Sequence, residues 1–193
     1  MAGGPEQCLI VAETTAPVVC AKGMSVNPHV DFANCPPLDY LLVPSGQGTR
    51  AELKNPAVLD FVKRQAAVAK ALLTVCTGSF VLHPAGLLAG KKATTHWGSL
   101  QRLRDLRDLG DLGDLGDLGD VEVLEQRYTQ DGHIWCSAGV SAGIDMTLAF
   151  IAATAGAQAA GKVQFAAEYY PDSTRYGDFG NHPQAPAYIR PAR

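Results

Sequence analysis

Short apolar runs alternate with stretches of helical periodicity along most of this chain, and that alternation restricts the fold more than any other feature. "QCLIVAE" (7–13) reads as a short buried strand. "DYLLVPSGQGT" (39–49) is a strand running into a Gly-rich turn. Asn55 and Pro56 then form an N-cap and first helical position, and "AVLDFVKRQAAVAK" follows with apolar residues at helical spacing. Residues 71–76 are a further apolar run. Strand and helix in turn predict an α/β domain with a mainly parallel sheet. In such sheets ligands bind beyond the carboxyl ends of the strands. Gly46 and Cys76 both fall at such ends, on successive strands.

Later segments fit the same class. Asp131-Gly132 lies between two β-like runs and predicts a hairpin. "SAGIDMTLAFIAATA" reads as a helix. The stretch 138–161 has the length of a membrane span, but it carries Asp145 and many small residues, so a helix packed inside a domain explains it. Residues 105–120 repeat Asp-Leu-Gly with a period of three. Calcium loops space their ligands differently and end on a bidentate Glu, so the repeat is expected to be an inserted surface connection. The predicted organisation is one domain over 1–170, with 105–120 inserted, and an irregular Pro- and Gly-rich arm over 171–193.

Composition narrows the partners. At 193 residues, 47% hydrophobic and 18% charged, the chain can bury a real core. A net charge of −3 without a basic run argues against nucleic acid. Five scattered cysteines, with no C-x-x-C pair, argue against a disulfide framework or a zinc site. No metal or cofactor is expected. The N-terminus has no signal-peptide pattern, so a reducing cytoplasmic setting is expected, without a membrane partner.

The chemistry centres on "ALLTVCTGSFVLHPAGLLAGKKATTHW" (71–97). A cysteine where a strand turns sharply into a helix is lifted from the sheet toward solvent, and helix N–H groups stabilise negative charge on its sulfur. Thr77, Gly78 and Ser79 are small, so a substrate can approach the backbone. A plain buried cysteine is the competing reading of Cys76. Cys8, Cys20, Cys35 and Cys136 lack this setting and read as structural, Cys8 within an apolar strand. His96 is the natural base or orienting partner for a thiolate, although a histidine before tryptophan can equally cap a helix. His83, before Pro84, is expected to face outward. The turn Gly46-Gln47-Gly48 can offer backbone N–H groups to developing negative charge.

Taken together, "LLVPSGQGT", "VCTGSFVLHPAGLLAGKKATTHW" and "WCSAGVSAGIDMTLAFIA" resemble the PfpI/ThiJ superfamily. The nearest branches are the isonitrile hydratase group and the amidase-like domains of certain transcription regulators. The resemblance implies a flavodoxin-like three-layer sandwich of the class I glutamine amidotransferase type. It implies that Cys76 is a nucleophile, that His96 lies close, and that Thr77, Gly46 and Gln47 line the site. An isonitrile hydratase would form a covalent thioimidate on the cysteine and release an N-substituted formamide, without cofactor, commonly as a homodimer. The alternatives are a noncatalytic or redox-responsive member with an oxidisable Cys76, and a regulator-type ligand-binding domain. Two departures stand out. Ser45 replaces a usual glycine, and the strand-helix unit that normally precedes "CLIVAE" and supplies an acidic residue is absent, as only seven residues precede Cys8. Glu13 and Asp145 do not match that acid's position, so activity is expected to suffer.

Overall fold

A computed structural model of the chain describes residues 7–107, 120–171, 176, 177 and 179–190. Its centre is a four-stranded sheet in the order β5-β6-β10-β9. β5 (Tyr40–Val43), β6 (Ala71–Val75) and β10 (Ile134–Ser137) run parallel, and β9 (Tyr128–Asp131) returns antiparallel beside β10. Three two-stranded pairs surround it: β1 (Val11–Ala12) with β4 (Val30–Asp31), β2 (Val18–Val19) with β3 (Ser25–Val26), and β7 (Lys92–Ala93) with β8 (Glu122–Val123). The helices are α1 (Thr49–Glu52), α2 (Pro56–Ala66), α3 (Ser79–Leu82), α4 (Leu100–Arg104), α5 (Ser141–Ala155) and α6 (Ala157–Ala166).

Strand side chains alternate between faces, and this divides the core in two. Leu41, Val43, Leu72, Ile134 and Cys136 pack with Leu59, Phe61 and Val62 of α2 and with Phe80, Val81 and Leu82 around α3. On the other face Ala71, Leu73 and Trp135 pack with Met146 and Phe150 of α5. The result is helices, sheet, helix: the α/β class that the strand-helix alternation predicts, in the three-layer flavodoxin-like arrangement that the family resemblance implies.

Local signals act where they were read. The Asn55 side chain accepts from the Ala57 N–H at 3.0 Å and starts α2 at Pro56. Gly132 has φ +60° and turns β9 into β10. Three expectations need correction. The strand read over 7–13 is only Val11–Ala12, and Cys8 is exposed outside it, because β1 pairs with β4 alone. The apolar stretch 138–161 is two helices, broken at Gly156 with φ +89°. No helix among the described residues is long and apolar enough to cross a membrane. The helix after Cys76 is short: a 3₁₀ turn over Cys76–Gly78, then α3, which ends before Pro84.

The Asp-Leu-Gly repeat lies, over 108–119, outside the described residues. On its two sides Leu103 and Leu106 are buried, and Val121 and Val123 pack on the same core. Parts of the C-terminal arm rest on the body. Ala185 is buried, the Ala187 N–H donates to Glu125, and the His182 ring meets Trp97 edge-on at 6.1 Å.

Candidate functional site

The parallel pairing of β5 and β6 places the turn after Val43 and the turn after Val75 side by side. The second turn carries Cys76. Its φ is +56°, a left-handed conformation that L-residues other than Asn, Asp and Gly seldom adopt. Hydrogen bonds on both sides of the residue hold that geometry. The Cys76 N–H donates to the Ala138 carbonyl at 3.1 Å. Its carbonyl accepts from the Thr95 hydroxyl at 2.8 Å and the Ser79 hydroxyl at 3.3 Å. The thiol is left half-exposed at the sheet edge.

Gly78 and Ser79 correct a sequence reading. Ser79 is fully buried, and a β-carbon at 78 would collide with the Val43 carbonyl and lie 2.8 Å from that of Pro44. Gly78 is small because the end of β5 presses on it, not to admit a substrate. The Thr77 and Thr49 hydroxyls meet at 3.3 Å and tie the two turns together on the open side.

A cavity of about 620 Å³ opens over this junction. Cys76, Thr77, Gly46, Gln47 and His96 all line it, so the five residues singled out in the sequence converge. The N–H groups of Gly46 and Gln47 have no acceptor among the described residues. His96 caps a 3₁₀ turn, its Nδ1 accepting from the Gly98 N–H at 3.2 Å. The capping reading of His96 therefore holds alongside its place in the cavity. An accepting Nδ1 puts the proton of the neutral ring on Nε2. No hydrogen bond joins His96 to Cys76.

Sequence reading missed Arg50 and Arg102, which also line the cavity, together with Leu53 and Phe80. It also missed Thr95 and Gly139. Thr95, beside His96 in "TTHW", was the most accessible of these to local reading. His83 is a further correction. It is 2% exposed, burial holds its imidazole below the usual histidine range, and its Nδ1 has no partner. Burial lifts the Cys136 thiol to about 11 and raises that of Cys35. No cluster of three or more His, Cys, Asp or Glu side chains suited to a metal ion occurs among the described residues.

Fold and site together define an α/β protein with a cysteine on a strained strand-to-helix elbow. Residues 5–153 match the DJ-1/PfpI family, and the chain belongs to it. An isonitrile hydratase of Pseudomonas putida is 38% identical over 165 residues, covering 86% of this chain and 67% of that one. The HTH-type transcriptional regulator CdhR of Pseudomonas aeruginosa is 30% identical over 155 residues, but the match covers only 42% of its length. Among solved structures, a THiJ/PfpI family protein from Pseudomonas syringae superposes with a TM-score of 0.76 at 34% identity, covering 94% of this chain and 70% of that one. Drosophila melanogaster DJ-1beta, at 17% identity and a TM-score of 0.64, shares the fold.

Proposed function

We propose that the protein is a cysteine-dependent, isonitrile hydratase-like enzyme with Cys76 as its nucleophile. The observation that carries this reading is the strained Cys76 turn, which opens into the same cavity as His96 and the unbonded Gly46 and Gln47 amides. The likeness to the Pseudomonas putida isonitrile hydratase supplies the reaction class.

In this mechanism the Cys76 thiolate attacks the terminal carbon of the isonitrile. A C–S bond forms, the carbon takes up a proton, and a thioimidate results. Water then adds to that carbon while the nitrogen is protonated. The His96 Nε2–H, the ring proton left when Nδ1 accepts from Gly98, passes to the nitrogen, and the proton lost by the adding water replaces it on Nε2. The resulting adduct collapses by breaking the C–S bond. It releases the N-substituted formamide, the thiolate and the proton taken up in the first step. In this reading the Gly46 and Gln47 N–H groups, which line the cavity, stabilise the oxygen of that adduct.

The test compares folded wild type with Cys76→Ser on a simple alkyl isonitrile, following formamide and any mass adduct on the peptide bearing residue 76. Formamide from wild type alone supports the reading, and its absence from the folded protein refutes it. One observation favours a second reading, an oxidisable thiol: among the described residues no Asp or Glu lines the cavity to ready a water. In that case the Cys76 thiolate would attack one oxygen of hydrogen peroxide, the O–O bond would break with hydroxide leaving, and the resulting sulfenic acid would add one oxygen to the same peptide.

A further inference from the structure

Arg50, on α1, and Arg102, on α4, face the cavity from separate elements, and among the described residues no carboxylate lines it. Neighbouring arginines are neutralised: Arg104 pairs with Glu125 at 3.4 Å, and Arg127 with Asp145. Arg50 and Arg102 have no ion pair among the described residues. Arg102 is half-buried, its guanidinium carbon 5.7 Å from the centre of the Phe80 ring. Glu13 and Glu52 both accept from the Asn55 amide, at 3.0 and 2.8 Å, and neither lines the cavity. The whole chain carries a net charge of −3, so two uncompensated cations at one opening are a local arrangement and not a basic composition. Arg102, partly buried, loses hydration that a bound anion restores, whereas Arg50 is exposed; either guanidinium matches a carboxylate with paired N–H donors.

We propose that the cavity selects small substrates bearing a carboxylate, whose charge is held by Arg50 and Arg102 while the electrophilic carbon meets Cys76. Leu53 and Phe80 line the space with apolar surface suited to a short hydrocarbon part. Under the reading above, on which this proposal rests for the reacting group, the substrate is an isonitrile with an acidic tail.

The test uses two alkylating reagents of equal reach and different charge, iodoacetate and iodoacetamide. Each is reacted in limiting amount with the full chain, and modification of Cys76 and of the exposed Cys8 is read by peptide mass mapping. The iodoacetate-to-iodoacetamide rate ratio should be about tenfold higher at Cys76 than at Cys8, the scale of one favourable charge interaction in partly screened surroundings. Arg50→Gln and Arg102→Gln, each confirmed folded by circular dichroism, should bring the ratio down toward that of Cys8. Arg102→Lys should retain part of the preference. Equal ratios at the two thiols overturn the proposal, as do Gln variants that leave the preference intact or a Cys76 that neither reagent reaches. This readout needs no isonitrile turnover. A charge preference without turnover leaves the anion site standing and removes the hydratase reading, whereas turnover with equal ratios does the reverse.

Discussion

The His96 ring occupies the space that a side chain at residue 139 would need. A β-carbon built on Gly139 would stand 2.8 Å from the His96 Cδ2. The strand end that passes under the histidine is also the one whose Ala138 carbonyl holds the Cys76 N–H. Gly139→Ala should therefore push the imidazole out of place without unfolding the chain. Under the proposed hydratase reading, turnover should fall by roughly 10- to 100-fold, the scale of a small misplacement of a reacting group. Steady-state kinetics beside a thermal melt checks this, and unchanged turnover would mean that the position of His96 is immaterial.

Cys76 should be the most reactive of the five thiols at neutral pH. Cys136 is fully buried with its thiol pushed up to about 11, and burial also raises Cys35. Thiolate, not thiol, is the nucleophile, so both should be slow. Limiting iodoacetamide with peptide mapping decides the matter. Preferential labelling of Cys35 or Cys136 contradicts it.

Gly78→Ala should destabilise the fold, because backbone carbonyls and not flexible side chains meet the new methyl group. Overpacking of this kind costs about 1–3 kcal/mol, or roughly 2–12 °C in Tm. Calorimetry of the variant measures it. A melt identical to wild type would show that the end of β5 can yield.

His83 sets a pH dependence. Its folded pKa is lowered by burial, so the native state keeps it neutral where the unfolded chain already binds a proton. Its neutral form favours folding fully above the unfolded value of about 6.5. That contribution is lost as pH falls from there through the lower folded value. Denaturant titrations of wild type and His83→Gln across this window should show a steeper acid loss in wild type. Parallel slopes would refute the assignment.

Replacing residues 108–119 with a short Gly-Ser linker should leave the melting transition nearly unchanged. Buried Leu103 and Leu106 anchor the chain before the replaced segment, and the Gly90 N–H bonds to the Asp120 carbonyl at 2.7 Å after it. Halving the length of a loop changes its closure entropy by only about 0.6 kcal/mol. Loss of the cooperative transition would place the repeat within the core.

What local sequence could reveal was set by the range of each interaction. The Asn55-Pro56 helix start, the Asp131-Gly132 hairpin and the Cys76 elbow are each written within a few residues, and each appears in the fold. The burial of His83 was misjudged because its direction depends on how a 3₁₀ turn passes into a four-residue helix before Pro84. Arg50 and Arg102 could not be joined by reading along the chain, since they meet only after α1 and α4 fold over the same opening. The size of Gly78 was noticed and its cause misassigned, as the atoms that press on it belong to Val43 and Pro44.

The Cys76 turn is held by Ala138 from one side and Thr95 from the other, while Gly78 fits beneath Val43 and Pro44. These partners come from distant parts of the chain, and contacts of wide sequence separation are the slow ones to form in folding. The left-handed conformation at 76 is unfavourable in an isolated segment, so it arises only once strands from both halves have assembled. Under the proposed reading, the nucleophilic role of this sulfur is thus a property of the completed domain. During refolding, its alkylation rate should stay that of an ordinary thiol until the last strands dock, which makes the cysteine a built-in clock for the final step of assembly.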